Sequence, residues 1–451
     1  MELTTYLNRL LLNYNDIRVK KNILELSKSV IVNGHLRLFS LFSEKKYYER
    51  MKGLLGGESA HTLDSETLLH CVQQRSIEAL GDCKRVYVLH DPSDIRKPSS
   101  QDMEHIGKVL GLNKAVINGY RSVNCVAIDP DNQGVNLLFH ELYSQEHPNY
   151  ISQEALEHPE TLPADKAAIY AKKQHINGMI LCQQQLKGSH DLLKKQHKTR
   201  VITHILDREF DSEDLFSYIN DLGDEFVIRA KLSRIASQGE EKSTPTGKIS
   251  KRLYYPKLVV KKFANQSSYS IDKITIKNKT YRQVTAVLEW DSIVLDGKSY
   301  SVVRITLKQG NKPLFEHPML LITNRLIQTG EAAKNVYQAY ILRFKIEVVF
   351  KFLKQNLGWE TFQIRDFNSI KNLLALAFFL VGYFKELEEE LQKHELAQFL
   401  CKIAYSKGKI TPFFLLKGLE KIAHFNEIKQ WMEAENISHE QIQALLDEFL
   451  S

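Results

Sequence analysis

The sequence predicts an α/β fold in which a mixed sheet with helices is interrupted by an all-β insertion and flanked by helical regions at both ends. Three observations support this prediction. Short apolar, β-prone runs alternate with helical stretches up to about residue 230, strand follows strand from about residue 231 to 321, and helical spacing prevails after residue 332. We therefore expect five parts: helical region 1–78, core segment 79–232, β-rich segment 233–330, core segment 331–375 and helical region 376–451.

The first 78 residues are predicted to be helical, because Tyr6, Leu10 and Tyr14 recur at helical spacing. Glycines at 53, 56 and 57 interrupt the pattern. The 11 basic residues of this region are nearly balanced by 9 acidic ones. Two interpretations stay open: a small helical domain with no further role, and a module that binds DNA ends.

The core sheet is predicted from short apolar runs that lead into polar residues. Val86–Leu89 and Val201–Leu206 are typical of buried strands, and an aspartate follows each of them, Asp91 and Asp207. The other elements expected here are, in chain order, strands at 124–128 and 135–142, a long helix at 164–185, a helix from Asp211 as N-cap to about residue 220, and a strand at 226–230.

The β-rich segment carries most of the positive charge of the chain. Strands are expected at 258–263, 283–289 and 300–307. Between residues 226 and 330 there are 19 Lys and Arg against 7 Asp and Glu, and between 242 and 282 there are 11 against 1. Such a one-sided block favours a polyanionic partner, most simply nucleic acid, over a plain solvated face.

Composition and missing motifs exclude several classes of protein. With 451 residues, 43% of them hydrophobic and 25% charged, the chain is neither disordered nor fibrous. The longest apolar run, 373–384, is too short to span a bilayer, so we expect no membrane partner. The 5 scattered cysteines fit a reducing cytosol, and the N-terminus shows no secretory signal. The sequence contains no P-loop, zinc-protease or serine-hydrolase motif.

A polar stripe crosses the helix predicted for residues 340–355. At about 100° per residue, four polar side chains lie within an arc of about 60°, and Lys351 borders it: Tyr340, Arg343, Glu347 and Lys354. The remaining directions are apolar, which predicts a buried helix. A buried carboxylate has to be paired or bound to a metal ion. The plain interpretation is a network of ion pairs that joins Glu347 to Arg343 and Lys351.

Asp91, Asp207 and Glu347 together form a candidate catalytic centre. Carboxylates that follow neighbouring strands of an open sheet meet at one edge of it, where a glutamate from a packed helix adds a third. Hard oxygen ligands of this kind suit Mg²⁺ or Mn²⁺, and two such ions promote phosphoryl transfer. Asp91 has rivals that also follow predicted strands: Asp94, Asp129 and Asp131.

The polar stripe resembles the Y-R-E-K signature of bacterial insertion-sequence DDE transposases of the insertion-sequence-four type, since its residues are spaced as Tyr340-x2-Arg343-x3-Glu347-x6-Lys354. A second motif resembles the one around that family's second catalytic aspartate: Asp207-Arg208-Glu209. Asp91 takes the place of the first aspartate. The resemblance covers about residues 80–375 and implies a ribonuclease H-like core.

The resemblance implies a DNA transposase that hydrolyses a phosphodiester at the ends of its mobile element and joins the freed 3′-hydroxyl to target DNA. Asp91, Asp207 and Glu347 would hold two Mg²⁺ or Mn²⁺ ions. DNA contacts are expected from six side chains: Tyr340, Arg343, Lys354, Lys351, Arg208 and Arg365. The implied partners are transposon-end DNA and target DNA, bound by a homodimer in the cytoplasm, at the nucleoid.

Several alternatives stay open. A metal-dependent nuclease without strand transfer and a catalytically silent, transposase-derived DNA-binding protein are the alternative functions. Region 376–451 is expected either to dimerise or to pack on the core. For Arg365 the plain alternative is a salt bridge in a loop, for example with Asp366. Met319 stands where several family members carry a tryptophan that stacks a flipped base, which leaves open whether excision uses a hairpin.

Overall fold

The computed structural model describes residues 3–56, 62–131, 134–235, 257–276, 279–295, 297–391, 395–406, 410–435 and 437–443. Within these residues the predicted α/β class is confirmed, because helices are combined with one mixed sheet. The chain divides into two compact units, which are described separately. Unit 1 comprises Met1–Val72, Ile95–Gly119 and Val349–Ser451, and unit 2 comprises Gln73–Asp94 and Tyr120–Val348.

The strands of the described chain range from 2 to 17 residues in length, and most of them belong to the central half of the sequence. They are β1 Arg85–Arg96, β2 Gly107–Leu110, β3 Val116–Ile128, β4 Val135–Tyr143, β5 Val201–Leu206, β6 Glu225–Arg229, β7 Asn265–Ile276, β8 Lys279–Leu295, β9 Lys298–Gln309, β10 Lys312–Pro313 and β11 Met319–Thr323. Turn and loop residues rich in Gly, Asn and Asp separate many of them, as expected for tight connections.

The helices lie at both ends of the chain and between the core strands. They are α1 Leu3–Leu12, α2 Ile17–Asn33, α3 Leu38–Leu41, α4 Lys45–Gly56, α5 Ser65–Leu80, α6 Gln153–Leu156, α7 Ala164–Ala171, α8 Gly178–Gln196, α9 Glu213–Leu222, α10 Gly330–Ile341, α11 Phe344–Asn356, α12 Phe367–Leu391, α13 Glu395–Ile403 and α14 Pro412–Ala434. This distribution agrees with the helical ends that the sequence predicts.

Unit 1 is mainly helical and is built around α12, whose apolar side chains are buried. Helices α2, α4, α13 and α14 contact it. The phenol of Tyr6 on α1 donates a hydrogen bond to the carbonyl of Phe379, 2.8 Å away, and the side-chain amide of Asn372 donates to the carbonyl of Leu55 at 2.7 Å. Helices from both ends of the chain therefore share one core.

Helix α12 also has the length and composition of a membrane span over Phe367–Glu390. Its most apolar stretch is 78% buried inside the fold, as is usual for the core helix of a globular protein. The apolar run at 373–384 underestimates this segment, because helical residues continue beyond it in both directions. Because most of α12 is buried, its apolar composition is only weak evidence for a membrane partner.

Unit 2 contains most of the sheet, in the order β3, β1, β5, β6, β11, β9, β8 and β7, with β4 also paired to β3 and β10 to β9. Strands β1, β5 and β6 are parallel neighbours, whereas the pairs from β6 to β7 are antiparallel. The strands of the β-rich segment thus continue the core sheet through β11, which pairs with both β6 and β9.

An aromatic cluster holds α9 against the sheet of unit 2. The rings of Phe216 and Phe226 are stacked at 5.1 Å, and Tyr300 lies 5.7 and 5.8 Å from them. These side chains come from α9, β6 and β9, so the cluster joins a core strand to a strand of the β-rich segment. Burial of large rings of this kind is a major source of stability.

Two of the predicted elements in the first core segment are corrected by the structure. The single helix expected at 164–185 is two helices, α7 and α8, because Asn177 begins a new helix by accepting a hydrogen bond from the Ile180 N–H at 2.9 Å. The helix expected after Asp211 begins at Glu213 instead. The Asp211 carboxylate pairs with Arg234 at 2.5 Å, which explains why it does not act as the N-cap.

The basic part of the β-rich segment lies partly outside the described residues. Five of the 11 basic residues between 242 and 282 belong to the ranges 236–256 and 277–278, which the structure does not describe. Among the described ones, Lys261 pairs with Asp291 at 2.7 Å. The strand expected at 258–263 is wrong, since this stretch begins with a short 3-10 helix, Leu258–Val260. The strands at 283–289 and 300–307 are confirmed within β8 and β9.

Candidate active site

Asp91 and Asp207 come directly after the last paired residues of the parallel strands β1 and β5 in unit 2. Strand β1 pairs with β5 from Arg85 opposite Val201 to His90 opposite Leu206. The next residue in each segment is the candidate aspartate: Asp91, still within β1, and Asp207, directly after β5. Because both strands run in the same direction, the two carboxylates leave the sheet at the same edge, as the sequence predicts.

The expectation that β1 ends before Asp91 is wrong, since β1 runs on to Arg96. Beyond His90 the strand remains beside β3. The side-chain amide of Asn124 donates to the carbonyl of Asp91 at 3.4 Å, and the hydroxyl of Ser122 donates to the carbonyl of Ser93 at 3.2 Å. Asp91 therefore lies on the part of β1 that is beyond its pairing with β5 but still beside β3. The side-chain amide of Asn124 on β3 holds its backbone carbonyl.

Arg343 bridges two of the three carboxylates. Its Nη1 lies 2.7 Å from Asp91 Oδ1, and its Nη2 lies 3.1 Å from Glu347 Oε1. The Arg343 side chain is only 7% exposed, whereas that of Glu347 is 50% exposed. The third carboxylate, Asp207, accepts a hydrogen bond from the hydroxyl of Tyr340 at 3.0 Å. Asp91, Asp207 and Glu347 are thus gathered around one guanidinium and one phenol.

The helix that carries the polar stripe differs from its prediction. Instead of one helix over 340–355, α10 ends at Ile341 and α11 begins at Phe344. Hydrogen bonds of the i→i+3 type, such as Ile346 N–H to the Arg343 carbonyl at 3.1 Å, carry the chain through the break. Glu347 lies in the first turn of α11 and faces solvent in part, so the expectation of a fully buried carboxylate is wrong.

Burial dominates the acid–base behaviour of Asp91. The pKa of Asp91 is raised to about 7: desolvation is the largest cause, the guanidinium of Arg343 opposes the shift, and the nearby charges of Asp207 and Glu347 add to it. Asp91 is therefore protonated in part near neutral pH unless a stronger positive charge arrives. Burial and the charge of Asp207 also raise the pKa of Tyr340, which keeps its phenol protonated as a hydrogen-bond donor.

The raised pKa of Asp91 predicts a specific pH dependence of stability. Below the pKa of about 4 that an unfolded aspartate shows, both states are protonated and the stability contribution of the group is complete. As pH rises through about 7, the folded protein has to accommodate a buried charge, and this contribution is lost. In Asp91→Asn, the change in unfolding free energy between pH 5 and pH 8 should lack this fall, which amounts to a few kcal/mol at roughly 1.4 kcal/mol per pKa unit.

Chemical denaturation of the wild-type chain and of Asp91→Asn at the two pH values measures this difference. Other groups contribute equally to both proteins and cancel in the comparison. Identical pH profiles for the two proteins would contradict the burial of an ionisable group at position 91.

The rival aspartates have other partners. Asp94 Oδ1 lies 3.3 Å from Arg121 Nε, and Arg121 Nη2 lies 2.8 Å from Glu209 Oε1. Asp129 accepts a hydrogen bond from the Asp131 backbone N–H at 2.9 Å, which is the turn geometry expected for it. Arg121 could not be predicted, because a single arginine within a strand carries no signal until its partners are known.

A buried histidine chain below the aspartates was also missed. His90 Nε2 lies 3.1 Å from His204 Nδ1, His204 Nε2 lies 3.1 Å from Asp224, and His190 Nδ1 lies 2.9 Å from the same carboxylate oxygen. His90 and His204 face each other across β1 and β5. Burial lowers the pKa of both histidines, which favours neutral rings that link the strands through hydrogen bonds. Sixteen histidines without regular spacing gave no hint of this pairing.

The predicted DNA contacts of unit 2 differ in accessibility. Arg208, in the 3-10 helix Arg208–Phe210, is exposed, whereas Tyr340 and Arg343 are buried and occupied by the carboxylates. Arg229, which the sequence analysis missed, lies 3.9 Å from Asp207 and is partly exposed. Arg229 and Arg208 also line a cavity of about 230 Å³.

The predicted DNA contacts of unit 1 are three cationic side chains. Lys351 is exposed. Lys354 is mostly buried and lies 3.5 Å from Glu360. Arg365 is exposed and lies 3.6 Å from Asp102, so its ion pair is not with the adjacent Asp366.

The donor atoms of the candidate site suit a divalent cation, but their arrangement does not. Three carboxylates are hard oxygen ligands of the kind that Mg²⁺ and Mn²⁺ prefer. Among the described residues, however, no group of three His, Cys, Asp or Glu side chains is placed to hold a metal ion. The guanidinium of Arg343 fills the space between Asp91 and Glu347. Its Nε has no hydrogen-bond partner within the described chain, so the bridge is incompletely satisfied.

Comparison with known families gives a match over part of the chain. Residues 165–381 match the family described as Transposase DDE domain. The matched segment includes Asp207 and Glu347 and begins after Asp91. No curated protein matches the chain. The family match supports a DDE transposase, that is, an enzyme of the polynucleotidyl transferase and nuclease type whose partner is DNA.

Proposed function

We propose that this protein is a DNA transposase of the insertion-sequence-four type. It would hydrolyse a phosphodiester at each end of its mobile element and join the freed 3′-hydroxyl to target DNA. The observation that supports this proposal is the gathering of Asp91, Asp207 and Glu347 around Arg343 within a chain that matches the Transposase DDE domain. The spacing of the Y-R-E-K residues adds the finer assignment.

The fold is consistent with a ribonuclease H-like core. Strands β4, β3 and β1 come first in the sheet, and β5 and β6 follow them. Strands β5 and β6 are parallel to β1. Asp91 lies within β1, just beyond its pairing with β5, and Asp207 follows β5, at the middle of this sheet. Catalytic groups commonly occupy this position in open α/β sheets.

Each residue of the site has a proposed role. Asp91, Asp207 and Glu347 would hold two Mg²⁺ or Mn²⁺ ions after Arg343 has moved, and the ions would activate the attacking oxygen and stabilise the leaving one. Tyr340 holds Asp207 in place through its hydroxyl. Arg343, once released, would bind a DNA phosphate through its planar, bidentate group. Such an exchange of partners keeps the guanidinium neutralised throughout.

Further cationic groups would follow the DNA backbone. Arg208 and Arg229 flank Asp207 in unit 2, whereas Lys351, Lys354 and Arg365 belong to unit 1. Region 1–78 is proposed to bind the element ends and region 376–451 to dimerise or pack. Because two ends have to be cut in concert, we expect a homodimer on DNA, acting in the cytoplasm at the nucleoid.

The test uses a supercoiled plasmid that carries the DNA flanking the reading frame, together with a pre-nicked oligonucleotide with a free 3′-hydroxyl. With Mg²⁺ we expect cleavage at the element ends and joining of the oligonucleotide to plasmid, and with EDTA neither. Cleavage without joining would identify a nuclease instead. Binding to the flanking DNA without cleavage in Mg²⁺ or Mn²⁺ would identify a silent DNA-binding protein.

A further inference from the structure

Unit 2 contains a second, larger cavity, a groove that is separate from the candidate active site. Its volume is about 1330 Å³, and its walls are formed by the start of β1, the turn after β3, strand β7 and helix α10. None of the carboxylates of Asp91, Asp207 and Glu347 lines it. Small-molecule pockets usually measure about 300–1,000 Å³, so the size of this groove favours a segment of a polymer over a small metabolite.

Helix α10 forms one wall of the groove. Lys334, Asn335, Gln338 and the C-cap residue Leu342 line it and lie within an arc of about 100° around the helix axis. From Lys334 to Leu342 the helix rises about 12 Å, at 1.5 Å per residue. Arg343, whose guanidinium bridges two carboxylates of the candidate site, is the next residue of the chain. The groove therefore extends to the residue beside the candidate site.

More cationic than anionic side chains line the groove. The cations are Lys84, Arg85, Arg325 and Lys334, and the carboxylates are Asp82 and Asp131. The guanidiniums of Arg85 and Arg325 share one counter-ion, since they lie 2.5 and 3.5 Å from the carboxylate of Glu225. Nη1 of Arg325 is buried and has no hydrogen-bond partner within the described chain. One carboxylate thus has to neutralise two guanidiniums.

The two lysines of the groove are accessible to a ligand. Lys84 is exposed, and among the described residues no carboxylate forms an ion pair with it. Lys334 lies 3.4 Å from Glu331, but the Glu331 side chain is 67% exposed, and a pair this exposed contributes about 1 kcal/mol or less. The cationic lining of the groove favours a ligand that carries several negative charges.

Neutral hydrogen-bond donors accompany these cations. Within the described residues, no hydrogen bond involves the hydroxyl of Tyr269 or Tyr337, and both side chains line the groove. Burial raises the pKa of Tyr269 to about 12, so its hydroxyl stays protonated. The side-chain amides of Asn335 and Gln338 are exposed on the wall formed by α10. Hydroxyls and amides of this kind commonly donate to the phosphate oxygens of nucleic acids.

Aromatic rings on two walls favour an unpaired strand over a duplex. Tyr87 on β1 and Tyr269 on β7 are both partly exposed and line the groove. Proteins that hold single strands combine cationic groups, which follow the phosphates, with aromatic rings, on which the bases stack. In a duplex each base face is covered by its neighbour, so the rings of a protein groove can stack only on unpaired bases.

We propose that this groove binds a single-stranded segment of DNA whose phosphates contact Lys84, Arg325 and Lys334. The 12 Å wall formed by α10 corresponds to about three to four stacked nucleotides, at about 3.4 Å per nucleotide. The inference rests on the proposed function in one respect, since the bound strand is one that enters or leaves the candidate active site. Binding in the groove requires no metal ion, so it can be measured separately from cleavage.

The test measures binding of a fluorescein-labelled oligonucleotide of about 12 thymidines to the full-length chain in EDTA, by fluorescence anisotropy. The wild type should bind it. The double variant Lys84→Glu/Lys334→Glu should bind at least about tenfold more weakly, and the slope of log Kd against log salt should fall by about 1.4, at about 0.7 for each lost phosphate contact. Tyr269→Leu should weaken binding about tenfold, because a stacking ring is lost.

Lys172→Glu is the matched control, because Lys172 is an exposed lysine of the same unit that does not line the groove. This variant should bind the oligonucleotide like the wild type, and circular dichroism checks that every variant is folded. A duplex of the same length should compete at least about tenfold less well than the unlabelled single strand. Thymidine triphosphate should not displace the oligonucleotide at concentrations near the Kd of the single strand.

Several results would overturn the proposal: no binding by the wild type, equal binding by the double variant, or equal competition by the duplex or by thymidine triphosphate. Cleavage at the element ends together with unchanged oligonucleotide binding in the double variant would refute the groove and leave the proposed function standing. Binding through the groove without any cleavage in Mg²⁺ or Mn²⁺ would refute the proposed function and leave the groove standing.

Discussion

Asp207→Asn is expected to abolish Mg²⁺-dependent cleavage at the element ends, with a loss on the order of 10³-fold or more. The amide keeps the shape of the carboxylate but removes the negative charge that a hard divalent cation requires. The hydroxyl of Tyr340, 3.0 Å from Asp207 Oδ1, can still donate to the amide oxygen, so the local structure is expected to persist. The measurement is the initial rate of strand cleavage on the plasmid substrate.

Asp94→Asn is the matched control for this variant. Asp94 belongs to the same unit and lies on β1, three residues after Asp91, but it pairs with Arg121 and not with Arg343. Its substitution should lower the cleavage rate only severalfold, and thermal melting should show both variants folded. If position 94 proved essential while Asp207→Asn stayed active, the assignment of the carboxylates would have to change.

The acidic residues could be predicted because their signal is local. Buried parallel strands are continuous apolar runs, and an aspartate within two residues of the end of such a run is visible in the sequence. Val201–Leu206 and Val86–Leu89 show this pattern, and the structure brings Asp207 and Asp91 to the same edge of the sheet. Their catalytic roles are still predictions.

Other features depend on contacts that periodicity does not encode. The break between α10 and α11 interrupts a stretch whose composition is helical throughout, and it places the guanidinium of Arg343 against Asp91, 252 positions earlier in the chain. The break at Asn177 is a similar case, because a cap residue ends a pattern that apolar spacing alone would continue. Long-range pairings such as His90 with His204 leave no trace in a single sequence.

The three carboxylates of the candidate site are of the kind that bind a metal ion, but the cation that lies against Asp91 and Glu347 in the structure is the guanidinium of Arg343. Three carboxylates in proximity destabilise one another unless a positive charge lies between them, and Arg343 supplies that charge in the described structure. A divalent cation at the proposed site would compete with the guanidinium for the same oxygens of Asp91 and Glu347. The competition predicts that the protein without DNA binds metal weakly and that DNA phosphate, by attracting Arg343, strengthens metal binding.

Arg343→Gln is accordingly expected to have opposite effects on metal binding and on catalysis. Without the guanidinium, the DNA-free protein should bind Mn²⁺ at least about tenfold more tightly in calorimetry, a gain of about 1.4 kcal/mol. In EDTA the variant should melt at a lower temperature than the wild type, because removal of one partner leaves Asp91 buried without its ion pair, and Mn²⁺ should restore more of the lost stability than it adds to the wild type. Cleavage should nevertheless fall, since the proposed phosphate contact is gone.

Arg304→Gln separates this effect from the loss of any buried arginine. Arg304 on β9 pairs with Glu289 on β8 at 2.6 Å in unit 2, is also mostly buried, and does not belong to the site. Its substitution should lower the melting temperature without changing the affinity for Mn²⁺. Unchanged Mn²⁺ affinity in Arg343→Gln would show that the guanidinium does not occupy the cation position. A gain in Mn²⁺ affinity together with a loss of cleavage is expected only if the Arg343 guanidinium occupies the cation position. Loss of a residue with a purely structural role would lower both the Mn²⁺ affinity and the cleavage rate.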